Sequence, residues 1–123
     1  MKGKELLDTY PKAGELVRNW YVQKFLDSIS DENLPEDFKK FALEAGLPDE
    51  RVGPLIDNNP RTLFDFFDGQ HLYIETIVDT DGGFWWKIGD KQSSVGYEHR
   101  TNCDSAAIEE SFKQLEEKLC ETK

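Results

Sequence analysis

Gln70-His71-Leu72-Tyr73-Ile74-Glu75-Thr76-Ile77-Val78-Asp79, followed by Thr80-Asp81-Gly82-Gly83 and then Phe84-Trp85-Trp86-Lys87-Ile88, is the stretch on which the fold turns. Before it, apolar residues recur every three or four positions. Within it they recur every second one, the signature of a strand. Leu72, Ile74, Thr76 and Val78 alternate with His71, Tyr73, Glu75 and Ile77. Asp79-Thr80-Asp81-Gly82-Gly83 is rich in turn formers, so 70–79 and 84–88 are predicted to form a hairpin. Gly89-Asp90-Lys91 signals a second turn, and Ser93–Arg100 alternates again through Val95 and Tyr97. Three strands joined by tight turns predict an antiparallel meander.

Helices are expected on both sides of it. Residues 1–68 hold all five prolines, and Pro11, Pro35, Pro48 and Pro60 each precede a stretch with helical spacing. Proline suits a first helical position, where its missing N–H costs nothing. A brief helix carrying Leu6, Leu7 and Tyr10 is expected before Pro11. A long one over 11–29 carries Ala13, Leu16, Val17, Trp20, Tyr21, Val22, Phe25, Leu26 and Ile29 on a broad apolar face. A segment over 35–45 ends at Gly46. The Gly53-Pro54 pair is expected to split 48–57 into two turns, because an interior proline removes a helical hydrogen bond. A last short helix, 60–68, contains Leu63, Phe64 and Phe67. After the meander, Ile108, Phe112, Leu115 and Leu119 form one narrow stripe, which predicts an amphipathic helix over 104–121. Thr101 and Asp104 fit a capping box at its start.

The sequence thus predicts one α+β domain over residues 1–123, with a helical part at 1–68, a three-stranded meander at 70–100 and a C-terminal helix at 104–121. Both faces of the meander bear aromatics: Phe84 and Trp86 on one, Tyr73 and Trp85 on the other. An α/β/α sandwich is therefore preferred. A two-layer arrangement is the alternative, and it leaves Tyr73, Ile77 and Trp85 exposed to a partner.

Charge excludes several function classes. Fifteen Lys and Arg against twenty-five Asp and Glu give a net charge of −10. Residues 1–68 carry nine cations and fourteen anions, and 69–123 carry six and eleven, so each part sums to −5. Nucleic-acid binding through phosphates needs clustered cations, and the basic residues here are scattered. Neither direct nucleic-acid binding nor attachment to a membrane is expected. A basic protein partner is, because an acidic surface steers and accelerates its approach. No apolar run nears the ~18 residues of a membrane span, and no hydrophobic segment follows the first residues. Cys103 and Cys120, on one helix and seventeen residues apart, would sit roughly 25 Å from each other. That is far beyond the ~7 Å limit of a disulfide. Two free thiols fit a reducing compartment, and the cytoplasm is the expected location.

Catalytic and metal motifs are weak. Cys103 near a helix N-terminus with His99 four residues upstream suggests a nucleophile and base. His71 or a carboxylate would join them in the alternative reading, a small hydrolase with its site near His99 and Cys103. No metal is expected: His71 and His99 lack ligand spacing. Asp79, Asp81 and Asp90 imitate a calcium loop but place Phe84 where glycine is needed. No cofactor motif occurs. The remaining constellation is aromatic and charged: Tyr73, Trp85, Lys87, Glu98 and Arg100 have the composition of an interface centre. The favoured expectation is a small acidic protein-binding or regulatory module that occupies a basic protein surface, in a toxin-neutralising or phage-type accessory role.

Two resemblances accompany this reading. Leu34-Pro35-Glu36-Asp37-Phe38-Lys39-Lys40-Phe41 resembles a box found in a family of immunity proteins of bacterial toxin systems. The Phe-Trp-Trp strand, the following strand and the helix containing Ala106-Ala107-Ile108 look similar to small phage α-β-α sandwich domains.

Overall fold

The computed structural model describes residues 2–28 and 48–121. The helix expected at 35–45 and the box at 34–41 lie outside the described residues. In chain order the elements are α1 (Gly3–Thr9), α2 (Pro11–Ser28), α3 (Asp49–Asn58), α4 (Thr62–Gly69), β1 (Ile74–Val78), β2 (Phe84–Ile88), β3 (Lys91–Gln92) and α5 (Arg100–Glu121). The fold is α+β, with the three strands antiparallel in the order β1-β2-β3.

The main core gathers Leu6 and Leu7 of α1, Ala13, Val17 and Tyr21 of α2, Val52 and Ile56 of α3, Leu63, Phe66 and Phe67 of α4, and Ile108, Phe112 and Leu115 of α5. Phe67 stands edge-on to Phe112 at 5.7 Å and to Phe66 at 5.0 Å, a geometry that aromatic quadrupoles favour. Helices of seven to ten residues are marginal alone; burial of these side chains holds them. A second cluster of Trp86, Ile88, Cys103 and Ala107 fixes the sheet to α5, and Leu72 and Ile74 bridge the two clusters.

Several carboxylates work inside the fold. The first N–H groups of a helix lack intrahelical partners and favour negative charge. Asp57 Oδ1 accepts the Gly3 N–H at 2.8 Å, at the start of α1. Glu116 of α5 accepts the N–H groups of Lys12 (2.7 Å) and Ala13 (3.3 Å), at the start of α2. Asp49 pairs with Arg18 at 2.6 Å, joining α3 to α2. Asp104, only 3% exposed, binds Arg61 Nε at 2.9 Å. Part of the acidity is therefore structural.

Four expectations are corrected. Residues 49–58 form one helix despite Pro54. Val52 and Ile56 are buried on either side of the proline, and their packing offsets the one lost hydrogen bond. Gly53 sits where α3 crosses α1: a Cβ on Gly3 would lie 2.5 Å from the Gly53 carbonyl oxygen. The first strand begins at Ile74, not Gln70. The chain leaving α4 first turns through His71 at φ 63°, and Leu72 N–H returns to the Phe67 carbonyl at 2.9 Å. The strand expected over 93–100 is absent. β3 is Lys91–Gln92, the chain bends away after Ser93, and only Tyr97 rejoins β2, opposite Phe84. The last helix starts at Arg100, four residues early. Asp104 therefore lies within it and is drawn to Arg61 rather than to a cap.

The register decides which side of the sheet meets the helices. In the β1–β2 register Ile74 faces Ile88, Thr76 faces Trp86 and Val78 faces Phe84. These pairs share one side, since opposed residues in a ladder point the same way, and that side meets α5 and α4. The other side carries Glu75 opposite Lys87 and Ile77 opposite Trp85. Among the described residues the helices occupy one face of the sheet.

Candidate functional site

The outer sheet face exists because β1 and β2 alternate strictly while α5 supplies one apolar stripe, enough to cover one side. On the uncovered side Ile77 is 39% exposed, and Tyr73, just ahead of β1, is 57% exposed. The Tyr73 hydroxyl lies 3.2 Å from His71 Nδ1. Trp85 is half-buried, and its indole N–H donates to Asp79 Oδ2 at 3.4 Å. The indole rests on the chain as it bends past Ser93. A Cβ on Gly96 would lie 3.2 Å from the ring, so a larger residue there would require the indole to shift by a few tenths of an ångström.

Around Trp85 the 79–83 turn and residues 96–98 shape a shallow concavity of about 330 Å³, with Asp79, Asp81 and Glu98 on its rim. Asp79 accepts hydrogen bonds from the backbone N–H of Asp81, the Trp85 indole and the Thr80 hydroxyl, which hold its carboxyl below the usual carboxylate range. Its negative charge is thereby fixed. A larger hollow of about 480 Å³ lies between the 89–90 turn and α5, lined by residues of both signs such as Glu110, Lys113 and Glu117. Lys91 is already paired there with Glu110, whose carboxylate also accepts from Gln114. The Trp85 surface is the smaller of the two, yet it combines apolar area with charge of one sign.

Of the residues singled out in the sequence, Trp85 and Lys87 belong to the outer side, Glu98 borders the Trp85 concavity, and Tyr73 is exposed just ahead of β1. Arg100 does not join them. It opens α5, and its guanidinium stacks on Phe84 at 5.2 Å, on the side turned to the helices. Asp79 and Asp81, which the sequence offers only as turn residues and an imperfect calcium loop, line the Trp85 concavity. The signal for Asp79 is its place six residues before Trp85 across a tight turn, where its carboxylate receives the indole N–H. The residues of the alternative reading are not arranged as a reactive pair. Cys103 is fully buried beneath Trp86 and Ile88, and burial, with Asp104 beside it, pushes its thiol up against the opposing effect of Arg61 and Arg100. His99 is exposed, and its carbonyl oxygen accepts the Cys103 backbone N–H at 3.2 Å. Among the described residues no three His, Cys, Asp or Glu side chains group as metal ligands, and no helix is long and apolar enough to cross a membrane. No protein-family model, curated protein or solved structure matches this chain.

Proposed function

We propose that this protein is a small acidic binding module whose outer sheet face docks on a basic protein surface, in a toxin-neutralising or phage-type accessory role. The observation that carries the reading is the sheet face that no described helix covers. Ile77 stands in solvent opposite a half-buried Trp85, Asp79, Asp81 and Glu98 line the concavity around that tryptophan, Glu75 faces Lys87 one pair along the same side, and Tyr73 is exposed ahead of β1. Aromatic and aliphatic anchors inside a charged rim are what concentrate binding energy at interfaces. The net charge of −10 adds long-range attraction for a cationic partner. A reducing compartment such as the cytoplasm suits the two free thiols, buried Cys103 and exposed Cys120.

The test is affinity capture from native lysate at low and moderate salt, with wild-type protein alongside Tyr73→Ala and Ile77→Ser. The expected result is a stoichiometric basic protein, released as salt rises and held roughly tenfold more weakly by either variant. Capture indifferent to both salt and these substitutions would overturn the reading.

A further inference from the structure

Among the described residues the outer edge of β1 is open, and its chemistry follows from the ladder. Phe84 and Tyr97 exchange both main-chain hydrogen bonds, each 2.7 Å long. Phe84, and by alternation Trp86 and Ile88, therefore direct their N–H and C=O groups toward β3; Ser93 N–H donates to the Trp86 carbonyl at 2.9 Å. Gly83, Trp85 and Lys87 face β1, as the 2.8 Å bond from Asp79 N–H to the Gly83 carbonyl requires. On β1 it is then Glu75 and Ile77 that bond to β2. Ile74, Thr76 and Val78 point their main-chain groups away from the sheet, and among the described residues no hydrogen-bond partner meets them. Arg61 reaches Thr76 only at its side-chain hydroxyl.

Open edges in soluble proteins are normally blunted by lysine, proline, a bulge or a covering segment. β1 reads Ile-Glu-Thr-Ile-Val: four of its five residues are β-branched, and it contains neither lysine nor proline. Ile77 and Val78 are 39% and 58% exposed. Its protection is negative charge, from Glu75 within the strand and from Asp79 and Asp81 beyond its end.

We infer that β1 is a template for strand addition by an extended basic segment of the partner protein. This rests on the acidic docking surface proposed above and specifies how that surface is used. Main-chain bonds to Ile74, Thr76 and Val78 supply affinity, and side chains alternating along the added strand supply specificity. On the outer face, a lysine or arginine beside Glu75 and an apolar residue beside Ile77 complement what β1 presents. A second copy of this chain is the disfavoured occupant. Pairing two β1 strands about Thr76 makes the two Glu75 carboxylates diagonal neighbours and joins bodies of −10 each.

The probe is a blocked peptide, Lys-Thr-Val-Thr-Lys-Thr-Val-Thr-Lys, with a twin of identical side chains N-methylated throughout so that it donates no main-chain hydrogen bond. The expected result is binding that weakens with salt and slows amide exchange at Thr76 and Val78 while Glu75 and Ile77 stay as they were. The twin should bind at least about tenfold more weakly, and Val78→Pro, which removes an outward donor that the fold does not use, about three- to tenfold more weakly. If the twin binds as well as the parent and exchange at Thr76 and Val78 is unchanged, strand addition is wrong while the acidic docking surface survives. If neither peptide binds at low salt, strand addition is again refuted, and the docking surface is judged by the salt-dependent capture alone. If Thr76 and Val78 become protected without peptide as protein concentration rises, the occupant is a second copy.

Discussion

Replacing Arg61 by Met should loosen the joint on which the open strand depends. Arg61 precedes α4, binds Asp104 of α5 through Nε at 2.9 Å and donates from Nη2 to the Thr76 hydroxyl of β1 at 3.3 Å. The Asp104 side chain is only 4% exposed, and its Oδ1 has no hydrogen-bond partner. Arg61→Met would leave a buried carboxylate with neither charge nor donor against it. Breaking a fully buried ion pair in this way costs about 3–5 kcal/mol. Here the guanidinium is 45% exposed, so water partly replaces it, and the expected loss is about 2–3 kcal/mol. In urea, read by tryptophan fluorescence at pH 7, this is a fall of about 1–2 M in the unfolding midpoint. Adding Asp104→Leu to the same chain removes the stranded charge and should restore stability to within about 1 kcal/mol of wild type. A loss under about 0.5 kcal/mol in the single variant, the size of an ordinary surface substitution, would refute the reasoning. Asp104 would then be solvated, and α4, α5 and β1 would not meet through Arg61.

Asp49 accepts a hydrogen bond from Arg18, and that bond, with the nearby guanidinium charge, holds its carboxyl below the usual range. A depressed carboxyl contributes stability above its unfolded value, near 3.9, and loses it as pH falls through the lower folded value; Asp49→Asn should cost about 1 kcal/mol at pH 7, and the gap in urea midpoint should shrink steadily as pH falls below the unfolded value. Glu116→Ala removes the acceptor of the Lys12 and Ala13 N–H groups and should cost about 1–2 kcal/mol, as loss of a helix cap does, measured in the same urea assay. Burial pushes the Tyr21 hydroxyl up to about 12. Ultraviolet titration should therefore show one tyrosine ionising last, absent in Tyr21→Phe. That variant should be at least as stable as wild type, because the hydroxyl is buried without a hydrogen-bond partner.

The parts legible in the sequence were those governed by local periodicity. The hairpin of β1 and β2 follows from alternation on either side of Asp79–Gly83. The stripe Ile108, Phe112, Leu115 in α5 is as it reads, with all three buried. The third strand misled because Val95 and Tyr97 alternate as a strand does, while the bend is set by contacts remote in sequence. Ser93 spends both its N–H and its hydroxyl on Trp86, and Gly96 lies against the Trp85 ring. Pro54 misled for a similar reason, since a local hydrogen-bond rule was outweighed by burial of Val52 and Ile56. Tyr73, Trp85, Lys87, Glu98 and Arg100 were singled out by composition, which carries no information about the side of the sheet each residue takes. Arg100 was misplaced because the early start of α5 puts it over Phe84. The open main-chain groups of β1 had no signature at all, because which edge of a strand is paired depends on the neighbours it acquires on folding.

The most direct measurement is a hydrogen-exchange footprint of the complex with the salt-released partner, taken against the free protein. Protection confined to residues 73–79 and 84–87 is the expected result. Protection over the outward surfaces of α2 or α5, with the sheet unchanged, would contradict the claim that this uncovered face is where the protein acts.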